Sequence, residues 1–153
     1  MSKYENLFTS EKLAEKVKHI PFLQYDKLLD ELSYSMFSII SFRNFTDWSQ
    51  GNLTLSLPNK FFDSMAAGVP VIVSNNFVEL CNVVESDNVG IIIDPEKPRE
   101  SVDKILEYSQ KEKYEVFLQN IIKHRHKYIY DDEKKKILRD FVIKIIKESE
   151  KRK

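Results

Sequence analysis

The sequence predicts an α/β fold, in which a parallel sheet of about four strands alternates with helices and is followed by a helical extension. Two observations lead to this prediction. Between residues 19 and 109, short apolar segments of strand length alternate with longer segments whose apolar residues recur at helical spacing. Residues 111–153 show helical patterns alone. We expect one domain over residues 1–153, with 111–153 as C-terminal helices, because 153 residues can form a core of their own.

The N-terminal part of the predicted sheet precedes residue 55. Segment His19–Phe22 has the character of a short strand, although Pro21 limits it to an edge position or a strand end. Tyr25–Tyr34 shows helical spacing, and Met36–Ser41 is apolar enough for a buried strand. The polar segment Arg43–Thr54 then predicts a long surface loop at the C-terminal end of that strand, where open α/β sheets form ligand sites.

The central segment, residues 56–74, predicts a helix, a tight turn and a buried strand. Pro58 suits the first turn of a helix, where its missing N–H costs nothing, and Ser56 stands where a capping hydroxyl is useful. Gly68 and Pro70 end the helix, and Val71–Val73 forms a short apolar strand. We expect one helix face to pack and the other to be free for chemistry. The packing face holds Phe61, Phe62, Met65, Ala66 and Val69, and the free face holds Lys60, Asp63, Ser64 and Ala67.

The remaining elements complete the alternation. Phe77–Glu85 predicts a short helix and Val89–Ile93 a buried strand. Two helices are expected over Pro98–Ser109 and Glu112–Tyr128, and a long one over Asp131–Glu150. The long helix carries an apolar stripe opposite a strongly charged face. The stripe consists of Ile137, Leu138, Phe141, Val142, Ile145 and Ile146.

Composition and charge disfavour several classes of protein. The 24 basic and 24 acidic residues cancel, so the chain has no overall attraction to nucleic acid or to an anionic membrane. No apolar run approaches the ~18 residues of a membrane span. The single Cys81 excludes an internal disulfide, and the polar N-terminus is unlike a signal peptide. We therefore expect a cytoplasmic protein that binds no nucleic acid and does not span a membrane.

The N-terminus of the central helix is a candidate anion site. It offers unpaired backbone N–H groups and a partial positive charge, which suit a phosphate or diphosphate. Lys60 adds a cation there, and Asp63 adds a carboxylate. An acid beside a phosphate site serves chiefly to accept hydrogen bonds from sugar hydroxyls, such as those of a ribose. The alternative is structural, because Lys60 and Asp63 also stand at the i, i+3 spacing of an ordinary helix pair.

The segment LPNKFFDSMAAGVPVI, residues 57–72, resembles the signature helix of the C-terminal, donor-binding domain of GT-B-fold retaining glycosyltransferases, in glycosyltransferase family 4 or glycosyl transferases group 1. The resemblance implies a Rossmann-like parallel sheet of strand order 3-2-1-4-5-6 that is N-terminally truncated here, so that this chain begins with the third strand. It also implies that Asp63 binds the donor's ribose, in place of the family's Glu. Leu55 stands where the family carries an earlier Glu that contacts the donor sugar.

The resemblance and the residue types together predict a nucleotide-sugar-binding site with no metal ion and no cofactor. The resemblance implies that the family's first two strands, and the Arg and Lys that bind the diphosphate in the loop after the first, have no counterpart here. Arg43 and Lys60 are therefore expected to meet the diphosphate; a solvated Arg43 is the alternative. Four residues, Phe22, Leu23, Gln24 and Tyr25, follow the third-strand equivalent, where the family holds the base; a plain turn with core aromatic residues is the alternative. No catalytic residue is predicted. The predicted binding set is Asp63, Lys60, Asn59, Arg43, Ser64, Phe22 and Gln24.

Two functions of different class follow from the sequence. The first is the donor-binding domain of a glycosyltransferase, which transfers a sugar from a UDP- or GDP-sugar while another polypeptide supplies the acceptor side. The second is a catalytically silent, truncated domain that binds a nucleotide or a protein, which the loss of the family's Glu at Leu55 favours. Because the missing strands leave a sheet edge exposed, we expect self-association or a second polypeptide at that edge.

Overall fold

The computed structural model describes residues 16–41 and 54–150, and its architecture confirms the predicted α/β class. The helices are α1 (Tyr25–Ser33), α2 (Asn59–Ala67), α3 (Val78–Asp87), α4 (Pro98–Tyr108), α5 (Lys111–His124) and α6 (Asp132–Glu150). The strands are β1 (Ser38–Ile40), β2 (Val71–Ser74) and β3 (Gly90–Ile93). A 3-10 turn, Arg125–Lys127, follows α5, which is therefore shorter than the predicted Glu112–Tyr128 helix.

The strands form one parallel sheet in the order β1-β2-β3. Ser38 pairs with Val71, and Val71 pairs with Gly90. A Cβ atom at Gly90 would lie 2.1 Å from the carbonyl oxygen of Val71, so only glycine allows β3 to approach β2 this closely. The parallel arrangement follows from the alternation of strands and helices along the sequence.

The strand predicted at His19–Phe22 is wrong, and the described sheet has three strands rather than about four. Residues 17–24 form no regular secondary structure, because Pro21 cannot donate to a ladder and the side chain of Phe22 is 97 % exposed. Among the described residues β1 is consequently an edge strand, and its Ile39 is 60 % exposed. The predicted Arg43–Thr54 loop lies outside the described residues except for its last residue, which is helical.

Apolar side chains cover both faces of the sheet. Val71 and Val73 belong to a core shared with α2 and α3, whereas Ile72 packs on the opposite face against Phe117 of α5. This division follows from the period of two along a strand. Only residues 68–70 separate the end of α2 from the start of β2, so α2 runs antiparallel to the strands and its N-terminus points toward their carboxyl ends.

The C-terminal helix α6 forms as predicted, but its apolar stripe is exposed. The six stripe side chains are 47–62 % exposed, and no residue of α6 is buried. The amphipathic pattern therefore identified the helix without identifying a packing partner. No helix within the described ranges combines the length and the apolar character that a membrane crossing requires.

Candidate functional site

Helix α2 carries the central carboxylate, Asp63, in its second turn. The carbonyl oxygen of Pro58, the N-cap residue, accepts the N–H of Phe61 at 2.9 Å. The helix ends at Gly68, whose φ of 77° is left-handed and favours glycine. Both boundaries were predicted by these residue types, although the N-cap is Pro58 and not Ser56. Asp63 itself is half-buried and is not turned into the core.

The buried face of α2 is rotated relative to the predicted one. Three helix residues are fully buried toward the sheet: Phe61, Ser64 and Met65. Ala66, which was predicted to pack there, is exposed and lines a cavity. Phe62 packs against the core as predicted but is only partly buried, and it lines the same cavity. Ser64 tolerates burial because its hydroxyl donates to the carbonyl oxygen of Lys60 at 2.6 Å. Asp63 therefore shares its face of the helix with apolar groups.

The cavity along α2 has a volume of about 730 Å³. It extends from Asn59, in the first turn of α2, to Ala66, in the last, and its other walls come from α1, the 3-10 turn and the start of α6. Its described lining combines four aromatic rings, two lysines and the Asp63 carboxylate. The rings and lysines are Tyr25, Phe62, Tyr128, Tyr130, Lys127 and Lys134. A concave site of this volume, with few polar groups among apolar ones, has the character of a small-molecule site.

Tyr25, the first residue of α1, holds the Asp63 carboxylate. Its hydroxyl donates to Oδ1 of Asp63 at 2.9 Å. This hydrogen bond, with partial burial and the negative charges of Asp63 and Asp26, raises the pKa of Tyr25 above its ordinary value. The phenol is therefore a hydrogen-bond donor at neutral pH, and it fixes the orientation of the carboxylate through one of the two oxygens.

Tyr128 and Lys127 form another part of the cavity wall. The Tyr128 ring packs edge-on against Phe61, with ring centres 4.9 Å apart. Its hydroxyl donates to Oδ2 of Asp87, and Lys127 Nζ donates to Oδ1 of the same carboxylate at 2.7 Å. Burial and the hydrogen bond to Asp87 raise the pKa of Tyr128 far above its ordinary value. The wall is thus fixed by a carboxylate that does not itself line the cavity.

The two cavity lysines are already paired within the protein. Lys127 neutralises Asp87. Lys134 donates through Nζ to the carbonyl oxygens of His126 and Ile129, the latter at 2.5 Å, and lies 3.9 Å from Asp131. Neither ammonium group is therefore free to meet an incoming anion without exchanging an internal partner.

The structure brings only some of the predicted site residues together. Asn59 and Asp63 line the cavity, and Lys60 is exposed beside it without lining it. Ser64 is buried, so its side chain does not face the cavity. The other three predicted residues do not meet there either: Phe22 lines a separate apolar groove, Gln24 is the N-cap of α1, and Arg43 lies outside the described residues.

Eight of the ten lining residues lie outside the predicted binding set: Tyr25, Phe62, Ala66, Lys127, Tyr128, Ile129, Tyr130 and Lys134. Tyr25 and Asp63 are 38 positions apart, and Asp87 and Tyr128 are 41 apart. No local pattern signals such contacts, because each depends on how a whole helix packs against another. The sequence signals were the place of Tyr25 directly after the third-strand equivalent and the density of tyrosine and lysine over residues 127–134.

Comparison with protein families identifies a relationship over most of the chain. The family model for glycosyl transferases group 1 matches residues 2–134, which include α2, the cavity lining and all three strands of the described sheet. The resemblance carried by residues 57–72 is therefore confirmed well beyond that segment. No curated protein and no solved structure matches the chain.

Proposed function

The chain belongs to the group 1 glycosyl transferases, and we propose that it forms the C-terminal, nucleotide-sugar-binding part of a GT-B glycosyltransferase whose donor is a UDP- or GDP-sugar. The observation that carries this proposal is the Asp63 carboxylate, half-buried on the wall of an open cavity in the second turn of α2. A carboxylate in this setting is suited to accept hydrogen bonds from a sugar.

Asp63 accepts hydrogen bonds from the ribose hydroxyls of the donor in this proposal. Tyr25 occupies one site on Oδ1, and a carboxylate has about four lone-pair sites, so Asp63 retains acceptor capacity while its orientation is fixed. The rings of Phe62 and Tyr128 offer apolar surfaces against which a base or a sugar ring packs. Asn59, at the N-terminal end of the cavity, adds an amide donor and acceptor.

The departing diphosphate is stabilised by the N-terminus of α2 and by Lys60, without a metal ion. Lys60 is exposed in the first turn of α2, where the helix dipole also favours negative charge. Arg43, outside the described residues, is the proposed second cation. Lys127 and Lys134 are less suited to this role because both already have internal partners.

The acceptor side is supplied by a second polypeptide, and the edge of β1 pairs either with that polypeptide or with a second copy of this chain. Among the described residues, β1 pairs only with β2, and Ile39 exposes an apolar side chain beside the unpaired edge. A reducing, cytoplasmic setting is also proposed, since the single Cys81 forms no disulfide.

Isothermal calorimetry tests the donor proposal. UDP, GDP and their sugar derivatives are titrated into the wild-type protein, into Asp63→Ala and into Asp103→Ala. Asp103→Ala is the control, because it removes an exposed carboxylate from a helix away from the cavity. We expect at least one nucleotide to bind the wild type and the control equally and to bind Asp63→Ala at least roughly tenfold more weakly. Absence of binding, or equal binding by all three proteins, contradicts the proposal.

A catalytically silent nucleotide- or protein-binding domain is the second candidate. The observation that favours it is Leu55, an apolar side chain, 72 % exposed, where the family's pattern has a Glu that contacts the donor sugar. In this case the nucleotide alone and the nucleotide sugar bind equally well, and no free nucleotide is released from the sugar derivative over time. A higher affinity for the sugar derivative, together with release of the nucleotide, favours the enzyme.

A further inference from the structure

A buried carboxylate stands behind the cavity wall. Asp87 is the last residue of α3, and its side chain is only 6 % exposed. Lys127 Nζ donates to Oδ1 at 2.7 Å, the Tyr128 hydroxyl donates to Oδ2, and His124 Nδ1 lies 3.7 Å from Oδ1. All three partners come from the end of α5 and the turn that follows it. Asp87 therefore joins α3 to a segment about 40 residues further along the chain.

This carboxylate is charged in the folded protein. Burial raises the pKa of Asp87, but the hydrogen bonds from Lys127 and Tyr128 and the positive charges nearby lower it by more, so its pKa lies below the ordinary value. A buried charge of this kind is tolerated only with its partners in place, because an unpaired one is strongly destabilising. The cluster consequently holds its partners in defined positions.

Two of these partners, Lys127 and Tyr128, line the cavity that contains Asp63, whereas Asp87 does not. The Tyr128 ring is held at one end by Asp87 and along its edge by Phe61 of α2. The segment that carries it is a single 3-10 turn followed by irregular chain, so its own backbone hydrogen bonds fix it weakly. Side-chain contacts must therefore supply the position of this wall.

We propose that Asp87 is a positioning residue for the donor site, which holds Tyr128 and Lys127 in the wall of the cavity that contains Asp63 without touching the donor itself. The inference rests on the proposed function of the cavity. Because Asp87 acts through Tyr128, removing the carboxylate and removing the Tyr128 hydroxyl disturb the same contact, and their effects on nucleotide affinity are not additive.

A double-mutant cycle tests the proposal. The affinities of UDP and GDP are measured for wild type, Asp87→Asn, Tyr128→Phe and the double variant, at a temperature where circular dichroism shows every variant folded. We expect each single variant to bind roughly tenfold more weakly and the double variant no more weakly than the weaker single one. Tyr114→Phe is the matched control: its hydroxyl donates to the carbonyl oxygen of Met36 at 2.9 Å, away from the cavity, and its loss leaves the affinity unchanged.

A second measurement needs no ligand. Nitration by tetranitromethane, mapped by mass spectrometry, is expected to rise at Tyr128 in Asp87→Asn and to stay constant at Tyr114, because only Tyr128 loses its partner. The positioning role is overturned if nitration of Tyr128 is unchanged in Asp87→Asn, or if it rises there without any loss of nucleotide affinity. Either result leaves the proposed function intact. If the wild type binds neither nucleotide, the proposed function is overturned, and the positioning role with it.

Discussion

Replacing Gly90 with alanine tests the closest approach in the fold, between β3 and β2. The added Cβ would lie 2.1 Å from the carbonyl oxygen and 2.8 Å from Cγ2 of Val71, whereas ordinary contact begins at 3.4 Å. The strands must therefore separate by about 1 Å, which costs ~1–3 kcal/mol as overpacking. The 3.2 Å hydrogen bond from Val71 N to the carbonyl oxygen of Val89 is strained as well, at ~1 kcal/mol. Alanine also lowers the entropy of the unfolded chain, which offsets ~0.5–1 kcal/mol, so we expect a net loss of ~1–3.5 kcal/mol.

Urea unfolding of Gly90→Ala, followed by circular dichroism, measures this loss as a lower midpoint at unchanged slope. Gly68→Ala is the matched control, because Gly68 has a φ of 77° but no atom within 4 Å of an added Cβ. Gly68→Ala should lower the free energy of unfolding by ~1–2 kcal/mol, because alanine must adopt a left-handed backbone conformation there, but the added Cβ meets no steric clash. If Gly68→Ala proves the more destabilising of the two, the strand contact is not as close as the structure requires.

The remaining predictions concern acid stability, the exposed stripe and the helix start. The folded pKa of Asp87 lies below the unfolded value of ~3.9, so the stability that its charge contributes is present above that pH and is lost as the pH falls through the folded pKa. The urea midpoint should therefore fall less steeply with decreasing pH in Asp87→Asn than in the wild type, and equal pH dependence in the two proteins contradicts the ion pair with Lys127. In urea titrations, Phe141→Lys on the exposed α6 stripe should change the free energy of unfolding by less than ~0.5 kcal/mol, whereas Phe117→Ala in the core should lower it by ~3–5 kcal/mol. Similar losses in the two variants would mean that the α6 stripe is packed. In calorimetry, Lys60→Ala should weaken nucleotide binding, most at low salt, because Lys60 is exposed, whereas Ser64→Ala should leave the affinity unchanged, because the Ser64 hydroxyl is bonded inside the helix. Equal losses of affinity in the two variants would contradict these positions.

Elements set by local residue patterns were predicted from the sequence. Pro58 and Gly68 mark the ends of α2 within one residue, and the apolar Val71–Val73 segment is β2. The physical reason is that proline and glycine restrict or permit particular backbone angles wherever they occur. The predicted strand at His19–Phe22 failed because an apolar pattern alone does not compensate for the N–H that Pro21 lacks in a ladder.

The candidate site was predicted only in part, because its walls come from distant segments. Asp63 was identified through its place in the helix, and it does line the cavity. The buried position of Ser64 was missed because its hydroxyl is satisfied inside the helix, which lets a polar residue occupy a core position. Tyr25 and Tyr128 reach the site through contacts between helices, which helical periodicity does not encode.

The most direct measurement is a cycle on the proposed contact between Asp63 and the ribose. The affinities of the better-binding nucleoside diphosphate and of its 2′,3′-dideoxy form are compared in wild type and in Asp63→Asn by calorimetry. We expect the wild type to lose at least ~1 kcal/mol of binding free energy when the hydroxyls are removed, and Asp63→Asn to lose much less. Equal losses in the two proteins, or none in the wild type, would show that this carboxylate does not bind the donor's ribose.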